Sequence, residues 1–247
     1  MKKKRKKGKP KQSQQSSGRS VAAQPLIEAL FVHAGEQFKS SGGFKTTVPT
    51  MEKKKIMDES IFEIKNVLSE KEAGSIIEAA EKQGFVNSFQ RETRECAHRD
   101  NGRIQFYSNI IAESMWDRIS PFLPENINGK GPTGLSNNFR LYKYEKGQRF
   151  GQHIDESVQV KNGQDWTLYT LLIYLNGPES GLRGGETFFY EEGSRAGAGN
   201  FLLSYSPKMG HVLCHIHGEF CLLHEGGEVT SGVKYLMRTD VTYAWSV

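Results

Sequence analysis

In the run Gln152-His153-Ile154-Asp155, an imidazole and a carboxylate stand two residues apart. At the end of a β-strand the side-chain period is two, so His153 and Asp155 project from one face. So placed, they can hold a single metal ion from adjacent corners. The same pair arises by chance beside surface turns, so a third ligand from a separate segment is required. His211, His215, His217 and His224 are the later histidines that could supply it. Two imidazoles and one carboxylate on one triangular face leave three coordination positions open for other molecules.

That facial arrangement belongs to the non-haem Fe(II) oxygenases. A second requirement then separates the four histidines. If 2-oxoglutarate chelates the iron through its 1-carboxylate and 2-keto oxygens, its far carboxylate needs a buried cation one strand away. His224 has Lys234 ten residues on, across a glycine-rich turn, at the start of a further strand. The same offset from His211, His215 and His217 falls on Cys221, Glu225 and Gly227, none of them cationic. His224 is the expected third ligand, and His215 and His217 are expected to be a one-face pair without metal. Arg238 is a rival cation on the face of Lys234; a guanidinium fork suits a carboxylate well. The offset favours Lys234 and leaves Arg238 as a structural ion-pair partner.

These residues need a scaffold. Ile61 to Leu68 reads as a strand running into a helix start. Ser69 and Glu72 form a capping box, each side chain serving the other's backbone amide. Ala73, Ile76, Ile77 and Ala80 share one face of the helix that follows, and Gly84 stops it. A second helix is expected over residues 111–119, before Pro121. Helical periodicity then ends. Residues 139–144, 167–175, 186–190, 200–205, 220–224 and 234–243 read as short strands between glycine-rich turns. Helices followed by a run of short strands argue for an α+β fold with a β-sandwich or jelly-roll core.

With these pieces in order, the chain from about residue 61 to 247 resembles the prolyl 4-hydroxylase-type branch of the 2-oxoglutarate- and Fe(II)-dependent dioxygenases. Phe62-Glu-Ile-Lys-Asn-Val-Leu-Ser-Glu-Lys-Glu72 is similar to the family's opening strand and helix. Leu141-Tyr-Lys-Tyr-Glu-Lys-Gly-Gln-Arg-Phe-Gly-Gln-His-Ile-Asp155 resembles the strand that delivers the first two ligands. Leu171-Leu-Ile-Tyr-Leu-Asn176, followed by Gly184-Gly-Glu-Thr-Phe188, resembles the central hairpin. His224-Glu-Gly-Gly-Glu-Val-Thr-Ser-Gly-Val-Lys234 resembles the segment with the last ligand and the oxoglutarate-binding lysine.

The resemblance implies a double-stranded β-helix (jelly-roll) core at about 138–247, with flanking N-terminal helices. It implies that His153, Asp155 and His224 ligate Fe(II) and that Lys234 pairs with the distal carboxylate of 2-oxoglutarate. Tyr144 matches a pocket-lining tyrosine, and Tyr174 one whose hydroxyl touches the same carboxylate; ordinary strand packing accounts for either equally simply. Thr187 is placed to line that cavity. O2 is the co-reactant, succinate and CO2 the by-products, and L-ascorbate the agent that rescues oxidised iron. The implied reaction is hydroxylation of a substrate C–H, foremost a prolyl residue in a protein or peptide. Oxidative demethylation of nucleic acid and a non-catalytic binding module are the alternatives. A polar segment over residues 91–102, read first as a solvated loop, could instead form a lid over the substrate.

Charge and composition bound these readings. Residues 1–19 carry nine Lys/Arg and no acid; the 24 basic and 28 acidic residues that remain leave residues 20–247 at −4. The basicity is therefore a tail property, and the body is not built to lie along phosphates. Residues 1–59 read as a disordered basic tail and linker, and 60–247 as the catalytic domain. The Lys-rich start reads as a contact for an import receptor or a polyanion, which implies a nuclear or cytoplasmic protein. The stretch after it is too broken for a secretory signal. No apolar run suits a membrane span, and three cysteines without paired spacing make no disulfide framework.

Overall fold

A computed structural model describes residues 25, 27–29, 50–93, 96–160, 163–191 and 200–245. The basic residues 1–20, expected to be disordered, lie outside these. The chain begins with a hairpin of β1 (Glu52–Met57) and β2 (Ile61–Lys65), then helix α1 (Glu70–Gln83), β3 (Val86–Gln90) and β4 (Arg99–Tyr107). Helix α2 (Asn109–Ile119) leads to β5 (Lys130–Leu135), β6 (Asn138–Tyr144), β7 (Phe150–His153), β8 (Gln159–Val160) and the long β9 (Asp165–Tyr174). The last part runs through β10 (Arg183–Gly184), β11 (Thr187–Tyr190), β12 (Phe201–Tyr205), β13 (Val212–Ile216), β14 (Leu223–Gly226), β15 (Val229–Ser231) and β16 (Lys234–Trp245).

Hydrogen-bonded neighbours follow the order β1-β2-β13-β9-β16-β6-β4-β7-β14-β11-β12. Two layers lie within that path: a large one from β1 to β4 and a small one of β7, β14, β11 and β12. A single registered pair, Arg99 with Phe150, links them. Every strand pair is antiparallel and most neighbours are distant in sequence, as in a jelly roll. This is the double-stranded β-helix core expected from the sequence, with its helices in the N-terminal half.

The period of two divides each strand of the large layer between two cores. Phe139 and Leu141 of β6, Leu171 and Ile173 of β9 and Met237 and Val241 of β16 face the helices. They meet Ile76 and Ala80 of α1 and Ile111 and Met115 of α2 there. The alternate residues, among them Tyr142, Tyr144, Leu172, Tyr174 and Leu236, form a second apolar cluster inside the roll. The functional residues share that inner face. Helix α1 has the expected capping box at Ser69 and Glu72 and ends at Gly84. Arg118 of α2 ties it down, donating to Glu72 at 2.7 Å and to the Val67 carbonyl at 2.9 Å.

Several expectations need correction. Glu52–Met57, in the stretch read as linker, is a strand because it pairs with β2, so the ordered fold starts ahead of residue 60. Ile27 is likewise buried in the helix-side core. Residues 99–102 are no surface loop: they open β4, which pairs with β6, and Asn101 is fully buried. Residues 218–220 form a 3-10 turn, and the strand carrying His224 starts only at Leu223. All three cysteines are free. No helix among the described residues is long and apolar enough to cross a membrane.

Candidate metal centre and its pocket

His153 ends β7 and His224 sits in β14, and the antiparallel register sets them directly opposite each other. Directly opposed residues point to the same side of a sheet. Their ring centroids are 4.2 Å apart. Asp155, two residues past His153, is buried beside them. His153 Nε2 is 3.8 Å from Asp155 Oδ1, and His224 Nε2 is 3.6 Å from Asp155 Oδ2. Ligand atoms of all three lie within 4.8 Å of one another.

The hydrogen bonds orient these groups for a cation. His153 Nδ1 is 2.8 Å from the Gly151 carbonyl and His224 Nδ1 is 2.8 Å from the Leu222 carbonyl. A carbonyl only accepts, so each Nδ1 carries the proton and each Nε2 lone pair is left for a metal. Asp155 Oδ2 accepts from Thr170 Oγ1 and Arg238 Nη2, both at 2.9 Å, which leaves Oδ1 as the freer oxygen. Thr170 has one proton; given to Asp155, its oxygen accepts from Arg238 at 3.2 Å and from His217 Nδ1 at 3.0 Å. The donor set of two imidazoles and one carboxylate therefore fits a ferrous ion.

Burial would raise the pKa of Asp155, but Arg238 and His224 hold it far below the usual carboxylate range. Burial lowers His153 to about 3, with help from His224. Burial opposes charge on His224 as well, yet the bond to Asp155 and the nearby Cys221 raise it to about 9. Without metal, the cluster thus favours a second proton on His224, at Nε2 facing the ionised Asp155, and a metal ion would displace that proton to take the lone pair.

These residues line a cavity of about 450 Å3, measured to its open mouth, together with Tyr142, Tyr144, Phe150, Leu172, Thr187, Glu225 and Leu236. Lys234 lines it too. It is buried, its Nζ donates to the Gly185 carbonyl at 2.6 Å, and that Nζ stands 5.6 Å from the Tyr144 ring and 5.5 Å from that of Tyr174. Burial lowers its pKa to about 8. Gly185 has φ +74°, and a Cβ there would lie 3.0 Å from Lys234 Cδ, so glycine makes room for the lysine. Tyr144 Oη accepts from Asn101 Nδ2 at 3.2 Å. Tyr174 is not at the cavity surface, but its hydroxyl is 2.8 Å from Thr187 Oγ1, which is.

Every expected site residue except Tyr174 therefore lines one pocket, Tyr174 lying behind Thr187, and Arg238 is in it as the partner of Asp155. His215 is there as well, contrary to its expected place outside the site. It is buried, with both ring nitrogens unpartnered and Nε2 3.8 Å from Asp155 Oδ2. With Cys221 and His224 it makes a second group of metal-capable atoms. The arginines of β4 are not among the expected site residues, although Arg99 lies in the segment read as a solvated loop or a lid. Their signal was the alternation of polar Arg99, Asn101, Arg103 and Gln105 with Gly102, Ile104 and Phe106.

Residues 139–240 match the family model described as the 2OG-Fe(II) oxygenase superfamily, and all six expected site residues fall inside the match. Fold, matched segment and the His/Asp/His group make this chain similar to the 2OG-Fe(II) oxygenases, an enzyme class for which Fe(II) and 2-oxoglutarate are the expected cofactors. Among solved structures, a viral collagen prolyl hydroxylase from Paramecium bursaria Chlorella virus-1, in complex with 2OG, has this fold. It is 22% identical, aligns over 75% of this chain and 97% of its own, and gives a TM-score of 0.52. A Trichoplax adhaerens prolyl hydroxylase, in complex with a hypoxia inducible factor peptide fragment, is 14% identical over 91% of this chain and 93% of its own, with a TM-score of 0.51. No curated protein sequence matches this chain.

Proposed function

We propose that this protein is a protein hydroxylase of the prolyl 4-hydroxylase type, using Fe(II), 2-oxoglutarate and O2. The observation that carries this reading is the cross-strand register of His153 and His224 with Asp155 beside them, lining the cavity that the buried Lys234 also lines. His153 Nε2, His224 Nε2 and Asp155 Oδ1 would hold the ion. The Gly151 and Leu222 carbonyls fix the ring orientations, and Arg238 and Thr170 fix the carboxylate. Such outer partners commonly set metal affinity.

Lys234 presents the ammonium for the distal carboxylate of 2-oxoglutarate, with the Thr187 and Tyr174 hydroxyls close to it. Burial raises the pKa of Tyr174 and Tyr144, so both phenols stay protonated at neutral pH and can donate. Iron, 2-oxoglutarate and O2 together supply the oxidant, yielding succinate and CO2 and placing one oxygen atom on the substrate C–H. Phe150, Leu172 and Leu236 restrict water around that reaction, and L-ascorbate would return oxidised iron to the ferrous state.

The test is to incubate the protein with Fe(II), ascorbate, labelled 2-oxoglutarate and cell extract. Labelled succinate should form together with proline-containing peptides that gain one oxygen. Asp155→Ala should abolish both. Modified nucleotides in place of peptides would move the assignment to nucleic acid, and undiminished turnover by the variant would reject these ligands. The Lys-rich start is proposed to act in nuclear import; a fluorescent reporter fused to residues 1–20 and confined to the cytoplasm would overturn that.

A further inference from the structure

Four guanidinium groups converge on the inner wall made by β4, β6 and β16. Arg103 is registered opposite Tyr142, and Arg140 lies between Gln105 and Arg238 in adjacent strands. Opposed residues share a face, and Tyr142 and Arg238 line the cavity, so all four point inward. Arg99 stacks 4.4 Å over the Phe150 ring, which itself stacks 3.7 Å from the His153 ring. Arg99 is thus one aromatic layer away from the candidate metal centre.

Among the described residues, two carboxylates answer these four cations. Asp155 lies 2.9 Å from Arg238, and Asp240 lies 3.5 Å from Arg238 and 4.0 Å from Arg140. Arg99 and Arg103 have no acidic partner among the described residues. Arg103 Nη2 donates to the neutral Gln105 Oε1 at 2.5 Å. The Nε atoms of Arg99, Arg103 and Arg238 and Asn101 Oδ1 are buried without a partner. Burial, and repulsion from Arg140, Arg99 and Arg238, lower the Arg103 pKa. Buried, unpaired guanidinium donors are costly unless something pairs with them. Ferrous iron and the doubly charged 2-oxoglutarate cancel each other, and Lys234 is committed to the latter, so loading leaves the surplus standing.

We propose that Arg99 and Arg103 form a subsite for one carboxylate of the substrate, and that the hydroxylated peptide carries an Asp or Glu side chain close to its target residue. The inference rests on the protein-hydroxylase reading. A nucleic-acid strand fits this wall less well: phosphate tracts are held by exposed basic stripes. These arginines turn inward, with Arg238 15% and Arg140 23% exposed, and the body is net acidic. Guanidinium forks engage a single carboxylate through paired donors. The rim beside the ligands carries the half-exposed apolar Ile154, which suits a peptide chain.

The test measures binding separately from hydroxylation. Fluorescein-labelled pools of proline-centred peptides, matched except for Glu or Gln at one flanking position, are titrated into protein loaded anaerobically with Fe(II) and 2-oxoglutarate. The same pools are then exposed to O2, and a single-stranded oligonucleotide forms a third arm. The Glu pool should bind tenfold or more better than the Gln pool at one position, about the strength of one charged hydrogen-bonded pair. Arg99→Gln/Arg103→Gln should erase that preference, with the Fe(II)–2-oxoglutarate absorption band confirming a folded, loaded site. Equal binding of both pools to the wild-type protein would overturn the subsite, whatever is hydroxylated. Oligonucleotide binding above that of either pool, lost in the double variant, would overturn it in favour of phosphate. A Glu preference without any hydroxylated peptide would uphold the subsite and reject the prolyl reading.

Discussion

Arg238 Nη2 lies 2.9 Å from Asp155 Oδ2, on the same inner face of β16 that carries Lys234 four residues earlier. The contact divides the labour of the aspartate: one oxygen is held by Arg238 and Thr170, and the other is free to ligate. Asp240, two residues on, lies 3.5 Å from the same Nη2. A cation beside a metal ligand repels the metal to some degree, but a carboxylate fixed in one orientation has less entropy to lose on binding. Fixing wins where outer partners have been removed from metal sites, with losses of roughly 10–100-fold.

Arg238→Met should therefore weaken ferrous-ion binding by roughly 10–100-fold. Titration of Fe(II) into the metal-free variant under anaerobic conditions reads this, with circular dichroism confirming the fold. Undiminished affinity would show that Thr170 alone suffices to hold the carboxylate.

Lys234 sets a pH limit on co-substrate binding. Its pKa of 10.5 falls to about 8 because burial penalises the ammonium. The proposed partner is a carboxylate, which needs that ammonium. The dissociation constant for 2-oxoglutarate should stay level below pH 8 and rise tenfold per unit above it, until the raised pKa of the complex is reached. Lys234→Met should weaken binding by roughly 10–100-fold and flatten this dependence. Isothermal titration between pH 7 and 10 measures both.

Glu63 gives the fold an acid-sensitive point away from the cavity. It is buried on β2 and accepts from Tyr205 Oη at 2.7 Å and Lys208 Nζ at 3.2 Å, with His211 Nδ1 at 2.6 Å. Burial pushes its pKa up, but these partners outweigh burial and bring it from 4.5 down to about 2. A lowered folded pKa means that its stabilisation is complete above about 4.5 and drains away as pH falls towards 2. The shift corresponds to on the order of 3 kcal/mol. Glu63→Gln should lose most of this at pH 7 and show a flatter acid limb in urea unfolding between pH 5 and 2.

The legible parts of this protein were those written in local patterns. The capping box at Ser69 and Glu72, the inward alternation of β9 and β16, and the His-x-Asp pair all sit within a few residues of chain. Pairing with distant strands was not legible. Residues 52–57 are four-sixths polar and become a strand only because β2 covers one edge. β4 was hidden by its charge: a run with Arg99, Asp100 and Arg103 looks solvated until β6 supplies the ladder and the cavity receives the arginines. His215 was set aside for want of a cation ten residues on, whereas what brings it to the pocket is the pairing of β13 with β9.

That pairing leaves two overlapping groups of candidate ligands, both containing His224: one with His153 and Asp155, the other with His215 and Cys221. The hydrogen bonds distinguish them. His224 Nδ1 faces Cys221 Sγ at 3.9 Å but already donates to the Leu222 carbonyl at 2.8 Å, so only Nε2, on the Asp155 side, can ligate without breaking that bond. His215 has no partner holding either ring nitrogen. An imidazole buried in that way costs roughly 1–3 kcal/mol, and an apolar residue of similar volume should recover part of it. His215→Leu should accordingly leave ferrous-ion affinity in place and hold or raise the melting temperature of the metal-free protein. His153→Ala should abolish metal binding. The reverse pattern, with affinity lost on His215→Leu and kept on His153→Ala, would assign the ion to the cysteine-containing group.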